Sequence, residues 1–358
     1  MNTPNYNWKI FVRAPNWVGD LVMATSTLEA LANSFKGGIY LGLKPHLKPI
    51  VSGLKAGEKI IPCYKPKSLP SLFKEIKKIK IHNFNGALLL TRSFETALIV
   101  WLAKIPFRAG LLDHRGFLLT NGFKEPYQKR TKGKEPKRIP RYMGDLYRDL
   151  AKILNVNVKD TKPILAITEP ERTSALTLLE SLKIKNKPYF LINPGASYGS
   201  SKLWPVKYMA KAGKEISKKL GYIGIVLSGP SKNEQEMAEA ICKEAGYSYL
   251  VPGTKENFIS LGPLKAIVAK SQFLLTTDTG PRHIAVAFSV PHVVLMGPTD
   301  PRFTNKHLEK AIVIRKEVEC GPCHEKKCPY PHHKCMTSIT PDEVVNAVLG
   351  LVENKSSK

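Results

Sequence analysis

Short β-rich runs alternate with stretches of helical spacing through the first 155 residues. Lys9–Arg13, Gly38–Leu43 and Gly86–Thr91 read as strands, and Leu21–Phe35, Leu72–Lys80 and Phe94–Ala103 as helices. Lys124–Arg141 breaks this pattern. It holds eight basic residues, two acids and three prolines, and it reads as an exposed loop. Tyr142–Asn155 and Pro170–Leu182 are helical again. A second alternation follows, with strands at Tyr189–Ile192, Ile223–Leu227, Tyr249–Val251, Phe273–Thr276 and His292–Met296. Its helices are Val206–Leu220, Asn233–Ala245, Gly262–Ala269 and Pro281–Phe288. A last helix, Pro341–Glu353, follows Thr340 as its N-cap.

Strand and helix alternating at this spacing predict parallel sheets covered on both faces. The fold class expected is therefore α/β, with two doubly wound units. The expected layout is a first domain over 1–165, a linker helix over 166–187, a second domain over 188–340, and a helix and tail over 341–358. The 358-residue length agrees, since it exceeds what one hydrophobic core usually serves. Open parallel sheets bind ligands beyond the carboxyl ends of their strands. Two such sheets facing each other would place a ligand in the cleft.

Charge changes the picture. The net charge of +26 is concentrated in residues 1–165, which hold 29 Lys/Arg against 11 Asp/Glu. That half is expected to face something anionic: nucleic acid, a membrane surface or a phosphorylated substrate. Solubility alone is the plainer explanation. The longest apolar run, Ala97–Ala103, is far short of the ~20 residues that span a bilayer. The N-terminus lacks the pattern of a signal peptide, so a cytoplasmic protein is expected.

Four segments carry candidate chemistry. Asn16–Asp20 lies between the first strand and first helix, where Asp20 is either a helix cap or a general base. Pro194–Pro205 is a Gly/Ser-rich strand-to-helix loop that includes Ser197 and Lys202. Its amides and ammonium suit a phosphate, although it is not a Walker A loop. In Thr277–His283, Thr279 and Gly280 offer amides at a helix start, Asp278 offers a hydroxyl acceptor, and His283 lies one turn in. The plain alternative is a capped helix with a surface histidine. Finally, Cys320, Cys323, Cys328 and Cys335 fall within sixteen residues and suit a tetrahedral structural metal site such as zinc. Spacing leaves an iron–sulfur cluster, disulfides and free thiols open. No G-x-G-x-x-G fingerprint and no serine nucleophile elbow is present, which disfavours dinucleotide oxidoreductases and serine hydrolases.

Together these residues resemble the ADP-heptose:lipopolysaccharide heptosyltransferases, the branch adding the second heptose most closely. The resemblance rests on NWVGDLVMATSTLEALA (16–32), SFETALIVWLAKIPFRAG (93–110), NPGASYGSSKLWP (193–205) and TTDTGPRHIAVAFSVPHVVLMGPTDPRFT (276–304). It implies a GT-B fold and heptose transfer from ADP-heptose, with inversion, to the first heptose of the lipopolysaccharide inner core. It implies no obligatory metal or other cofactor for catalysis. Asp20 matches the family's base, Lys202 its diphosphate-binding lysine, and Ser197, Asp278, Thr279, Gly280 and His283 its donor-binding positions. Arg92 and Ser93 fall in the acceptor segment, where the family often has Asn in place of Arg92. The basic first half would then suit a charged acceptor on the anionic inner membrane, with the enzyme peripheral to its cytoplasmic face.

Rival readings are a related lipopolysaccharide-core transferase adding another heptose, such as the first, or a different sugar, a sugar-nucleotide epimerase, and a basic, zinc-containing nucleic-acid-binding protein. The last lacks interleaved aromatics, so no nucleic-acid partner is expected.

Overall fold

The computed structural model describes residues 4–127, 138–195, 197–246 and 259–356. The chain divides into two compact units. One is Met1–Ala166 with Arg302–Thr304, and the other is Ile167–Pro301 with Asn305–Lys358.

The first unit holds a six-stranded sheet in the order β3-β2-β1-β4-β5-β6. Its strands are β1 (Ile10–Arg13), β2 (Ile39–Leu43), β3 (Ile60–Pro62), β4 (Gly86–Leu89), β5 (Phe107–Leu111) and β6 (Asn121–Phe123). Every pairing is parallel. β1 lies between β2 and β4, so the winding reverses there. Full burial of β1 and β4 explains their continuous apolar runs, as expected of a sheet covered on both faces. The helix Val18–Ser34 begins three residues before the Leu21 start expected from periodicity.

The second unit holds a five-stranded parallel sheet in the order β11-β10-β9-β7-β8. These are β7 (Tyr189–Asn193), β8 (Ile223–Val226), β9 (Leu274–Thr277), β10 (His292–Met296) and β11 (Ala311–Arg315). Here the winding reverses between β7 and β9. The core stacks Phe190 on Phe273 with centroids 4.8 Å apart, within the range for an attractive aromatic pair. Helix Glu169–Ser181 starts in a capping box between Thr168 and Glu171. Glu171 also pairs at 3.0 Å with the wholly buried Lys265 of helix Leu261–Lys270.

Four strands escaped the sequence pattern: β3, β5, β6 and β11. β3 and β6 have three residues each, too few for alternation to register. The expected strand Tyr249–Val251 lies outside the described residues, as do residues 128–137 of the basic loop. At that loop's edges Tyr127 and Arg138 form an antiparallel bridge.

Candidate active site

Both reversal points carry the residues singled out from the sequence. Asn16–Asp20 follows β1, and Arg92 and Ser93 follow β4, the two strands that flank the first switch point. Pro194–Lys202 follows β7, and Asp278–His283 follows β9, which flank the second. This is where an open parallel sheet offers its ligand crevice.

In the first unit, Asp20 sits in the opening turn of helix Val18–Ser34, with Trp17 at the cap. The plain capping role is therefore not the one it takes. The approach to it is fixed by Arg13, which is buried at the end of β1. Its guanidinium donates to Ala14 O (2.9 Å), Gly42 O (3.0 Å) and Asn16 Oδ1 (2.9 Å). Asp20 is half-buried. Its charge reaches the fully buried Tyr147, whose hydroxyl is driven well above its ordinary pKa by burial first and by Asp20 second. Arg92 and Arg138 act on the same tyrosine in the opposite sense. Ser93 caps helix Phe94–Leu102 by accepting from Thr96 N (3.4 Å).

In the second unit, the candidates gather around one carboxylate. Lys202 Nζ donates to Asp278 O (2.7 Å) and Asp278 Oδ2 (2.8 Å), and Arg282 Nη1 donates to Asp278 Oδ1 (2.7 Å). Thr299 Oγ1 adds a fourth bond at 2.9 Å. Burial alone would raise the Asp278 carboxyl. The Lys202 and Arg282 charges outweigh it and hold the group below the ordinary carboxylate range. Both cations lie at the start of helix Gly280–Ala287, where the helix dipole adds positive potential. The Asp278 oxygens already have donors, so its place is that of an anchor for Lys202 and Arg282.

His283 is buried as well. Burial, then the Arg282 charge, pushes its pKa down to about 3, so it is a neutral imidazole near pH 7. Thr279 Oγ1 accepts from Asn193 Nδ2 (2.7 Å), which also donates to Thr276 Oγ1 (2.9 Å) and so clips β7 to the helix start. Ser197 is exposed on the loop. Three residues of this arrangement were not singled out from the sequence: Asn193, Arg282 and Glu234. Arg282 was hidden inside the motif as one more helical cation. Glu234 lies so near Gly195 and Gly229 that a Cβ on either would approach its carboxylate within 3.0 Å and 2.3 Å. No local spacing could reveal that contact.

The Cys-rich segment packs on the same loop through its main chain. Ser201 N donates to Lys326 O (3.1 Å), and Ser201 Oγ to Glu325 O (2.5 Å). His333 Nε2 contacts Ser201 O at 2.7 Å, and the Tyr198 hydroxyl donates to His324 O. Gly199, at φ +157°, lies under Lys326, where a Cβ would come within 2.1 Å of its carbonyl oxygen. The four cysteines expected to hold a metal lie in this segment. Cys320, Cys323, Cys328 and Cys335 are free thiols, and no three metal-ligating side chains converge among the described residues. Cys335 is buried against the position facing Gly297, whereas the other three lie on half-exposed loop. They are near enough that Cys335 is pushed up to about 11, by burial first and then by their charges.

Comparison with known proteins gives a consistent picture. The glycosyltransferase family 9 (heptosyltransferase) model matches residues 72–334. Lipooligosaccharide heptosyltransferase 2 of Campylobacter jejuni is 26% identical over 97% of this chain and 99% of its own length. Lipopolysaccharide heptosyltransferase 1 of Escherichia coli is 25% identical over only 35% of this chain and 37% of its own. The structure of E. coli ADP-heptose lipopolysaccharide heptosyltransferase II covers 97% of this chain and 99% of that one, with a TM-score of 0.74 at 23% identity. The fold is thus that of the GT-B heptosyltransferases.

Proposed function

The chain belongs to glycosyltransferase family 9, and from that premise we propose that it moves a heptose from ADP-heptose to the first heptose of a lipopolysaccharide inner core. The observation that carries the donor side is the Lys202–Asp278–Arg282 cluster at the start of helix Gly280–Ala287. Its two cations and the amides of the helix start suit a diphosphate, whose negative charge grows as ADP leaves. The neutral His283 supplies an N–H rather than a charge, and Ser197, Thr279 and Gly280 line the same stretch. The full-length likeness to heptosyltransferase 2, against the partial likeness to heptosyltransferase 1, favours a heptosylated acceptor.

On the acceptor side, Asp20 takes the proton from the attacking hydroxyl, with Arg92 and Ser93 nearby on the same sheet edge. The hydroxyl oxygen bonds to the anomeric carbon as the bond to the diphosphate oxygen breaks, and the configuration inverts. The protein's own charges neutralise the leaving group, so this chemistry requires no divalent cation. The enzyme works at the cytoplasmic face of the inner membrane, held there by its basic first half. None of the helices among the described residues is long and apolar enough to cross a membrane.

The test separates binding from chemistry. Asp20→Asn should retain ADP-heptose affinity by calorimetry while single-turnover transfer falls at least a hundredfold, the lower end for general-base catalysis. Near-normal turnover would remove Asp20 from the mechanism.

A further inference from the structure

Every pairing in the first sheet is parallel, so each helix that follows a strand starts at the carboxyl edge of that sheet. That edge carries Asp20 and Arg92, and it also carries side chains that the proposed chemistry does not use. Leu69 and Phe73 stand in the first two turns of helix Leu69–Lys80, after β3, and Phe117 stands in the turn Gly116–Leu118 after β5. They are 71%, 64% and 75% exposed. Phe94, the first residue of helix Phe94–Leu102, is exposed too, and its ring lies 6.0 Å from that of Phe117. The two helices cover one face of the sheet side by side. Ile76 and Ile79 of one and Ala97 and Val100 of the other share a core with Phe11 and Leu89. Single exposed apolar side chains are ordinary on a protein surface, whereas four gathered at one edge ask for a partner. The charge beside them is one-sided. Lys65, Lys67 and Lys74 are exposed. The two acids of these helices are withdrawn: Glu75 is buried and bonds Lys78 at 2.7 Å, and Glu95 is half-buried.

We propose that this edge docks on an anionic lipid leaflet, with Leu69, Phe73, Phe94 and Phe117 entering the headgroup boundary and Lys65, Lys67 and Lys74 pairing with lipid headgroups. Apolar tips flanked by lysines match that boundary, which is apolar on one side and negatively charged on the other. A second copy of this chain seated on the same edge would set lysine against lysine. The placement also serves the reaction. An acceptor anchored in a bilayer presents its sugars close to headgroup height, so the base must come to that height. A docking surface at the edge that carries Asp20 brings it there. One at the opposite edge would hold it back by the length of the twelve-residue helix Leu69–Lys80, about 18 Å. The lysines attract over a distance and the apolar tips insert shallowly, and stable attachment takes both. The surface gives the basic first half a specific point of contact, and its purpose rests on the lipid-linked acceptor proposed above.

The experiment has two arms, both on the full chain. In the first, binding to vesicles of phosphatidylglycerol and phosphatidylcholine is measured at low salt. The double variants Phe73→Ser/Phe117→Ser and Lys67→Glu/Lys74→Glu should each lower the affinity roughly fivefold or more. Ile81 and Trp101 are exposed at the far ends of the same two helices, so Ile81→Ser/Trp101→Ser should leave it unchanged. Brominated acyl chains should quench the tryptophan added by Phe117→Trp and not the one added by Ile81→Trp. Unchanged affinity in both edge variants, or an equal loss in Ile81→Ser/Trp101→Ser, would overturn the surface. So would Phe73→Ser/Phe117→Ser abolishing a self-association seen by sedimentation while vesicle binding persists. In the second arm, Phe73→Ser/Phe117→Ser should transfer to a soluble, deacylated acceptor as the unmodified enzyme does, and show a KM raised roughly fivefold or more for acceptor embedded in vesicles. An equal loss on both acceptors would overturn the assignment. Absence of transfer by the unmodified enzyme to either acceptor would defeat the function proposed above, while the first arm would still judge the surface.

Discussion

At the scale of single residues, the proposed donor site turns on Asp278. Removing it leaves the buried Lys202 without its carboxylate and takes from Arg282 one of its partners, a loss that typically costs ~3–5 kcal/mol. Asp278→Ala should lose about that much stability in urea unfolding and also weaken ADP binding; a loss below ~1 kcal/mol would show that the cluster is not the anchor described. His283 gives a pH signature. Its folded pKa near 3 lies below the ~6.5 of an unfolded histidine. The unfolded chain therefore takes up the proton first, and the stability His283 contributes is full above pH 6.5 and falls between there and about 3. Between pH 7 and 4.5 the loss should be about 2–3 kcal/mol, and His283→Gln should flatten the slope by that amount. Identical slopes in urea melts of the two proteins would contradict the buried, neutral imidazole.

At the scale of elements, the second unit depends on contacts between segments far apart in sequence. Gly199→Ala would force a Cβ against the Lys326 carbonyl, so it should loosen the Tyr198–Lys202 loop from the Cys-rich segment. We expect a Tm lower by several degrees and a donor KM raised several-fold, with the acceptor KM unchanged; an unaltered donor KM would separate this clamp from donor binding. These contacts also mark how far the sequence could be read. The alternation of β1, β2, β4, β7 and β10 with amphipathic helices was legible because a buried parallel strand needs a continuous apolar run. Such a run survives in any single sequence. β3 and β6 were too short to leave one, and strand order leaves no local trace at all. The order matters most, because it puts Asp20 beside Arg92 and Lys202 beside Asp278. Motif residues such as Lys202 and His283 could be picked out by type and position. Their surroundings could not, since burial turned Lys202 from a free ammonium into a member of an ion cluster and took the charge from His283. The spacing of the four cysteines likewise carried no sign that their segment packs on the loop through its carbonyls.

At the scale of the whole molecule, the proposed work at an anionic membrane surface rests on the charge surplus of residues 1–165. Each lysine or arginine near an anionic leaflet contributes ~1 kcal/mol, and salt screens that attraction. The protein should therefore co-sediment with vesicles containing phosphatidylglycerol at low salt and be released at about 0.5 M salt, where the screening length is only a few ångström. Salt-insensitive binding would point to apolar insertion instead. The most direct test of the account is transfer itself. The enzyme, ADP-heptose and inner-core acceptors carrying no heptose or one heptose are incubated separately, and the products are weighed by mass spectrometry. The account predicts a gain of one heptose on the monoheptosylated acceptor, none on the unheptosylated one, and none on either with Asp20→Asn. Gain on the unheptosylated acceptor alone, or on neither, would contradict it.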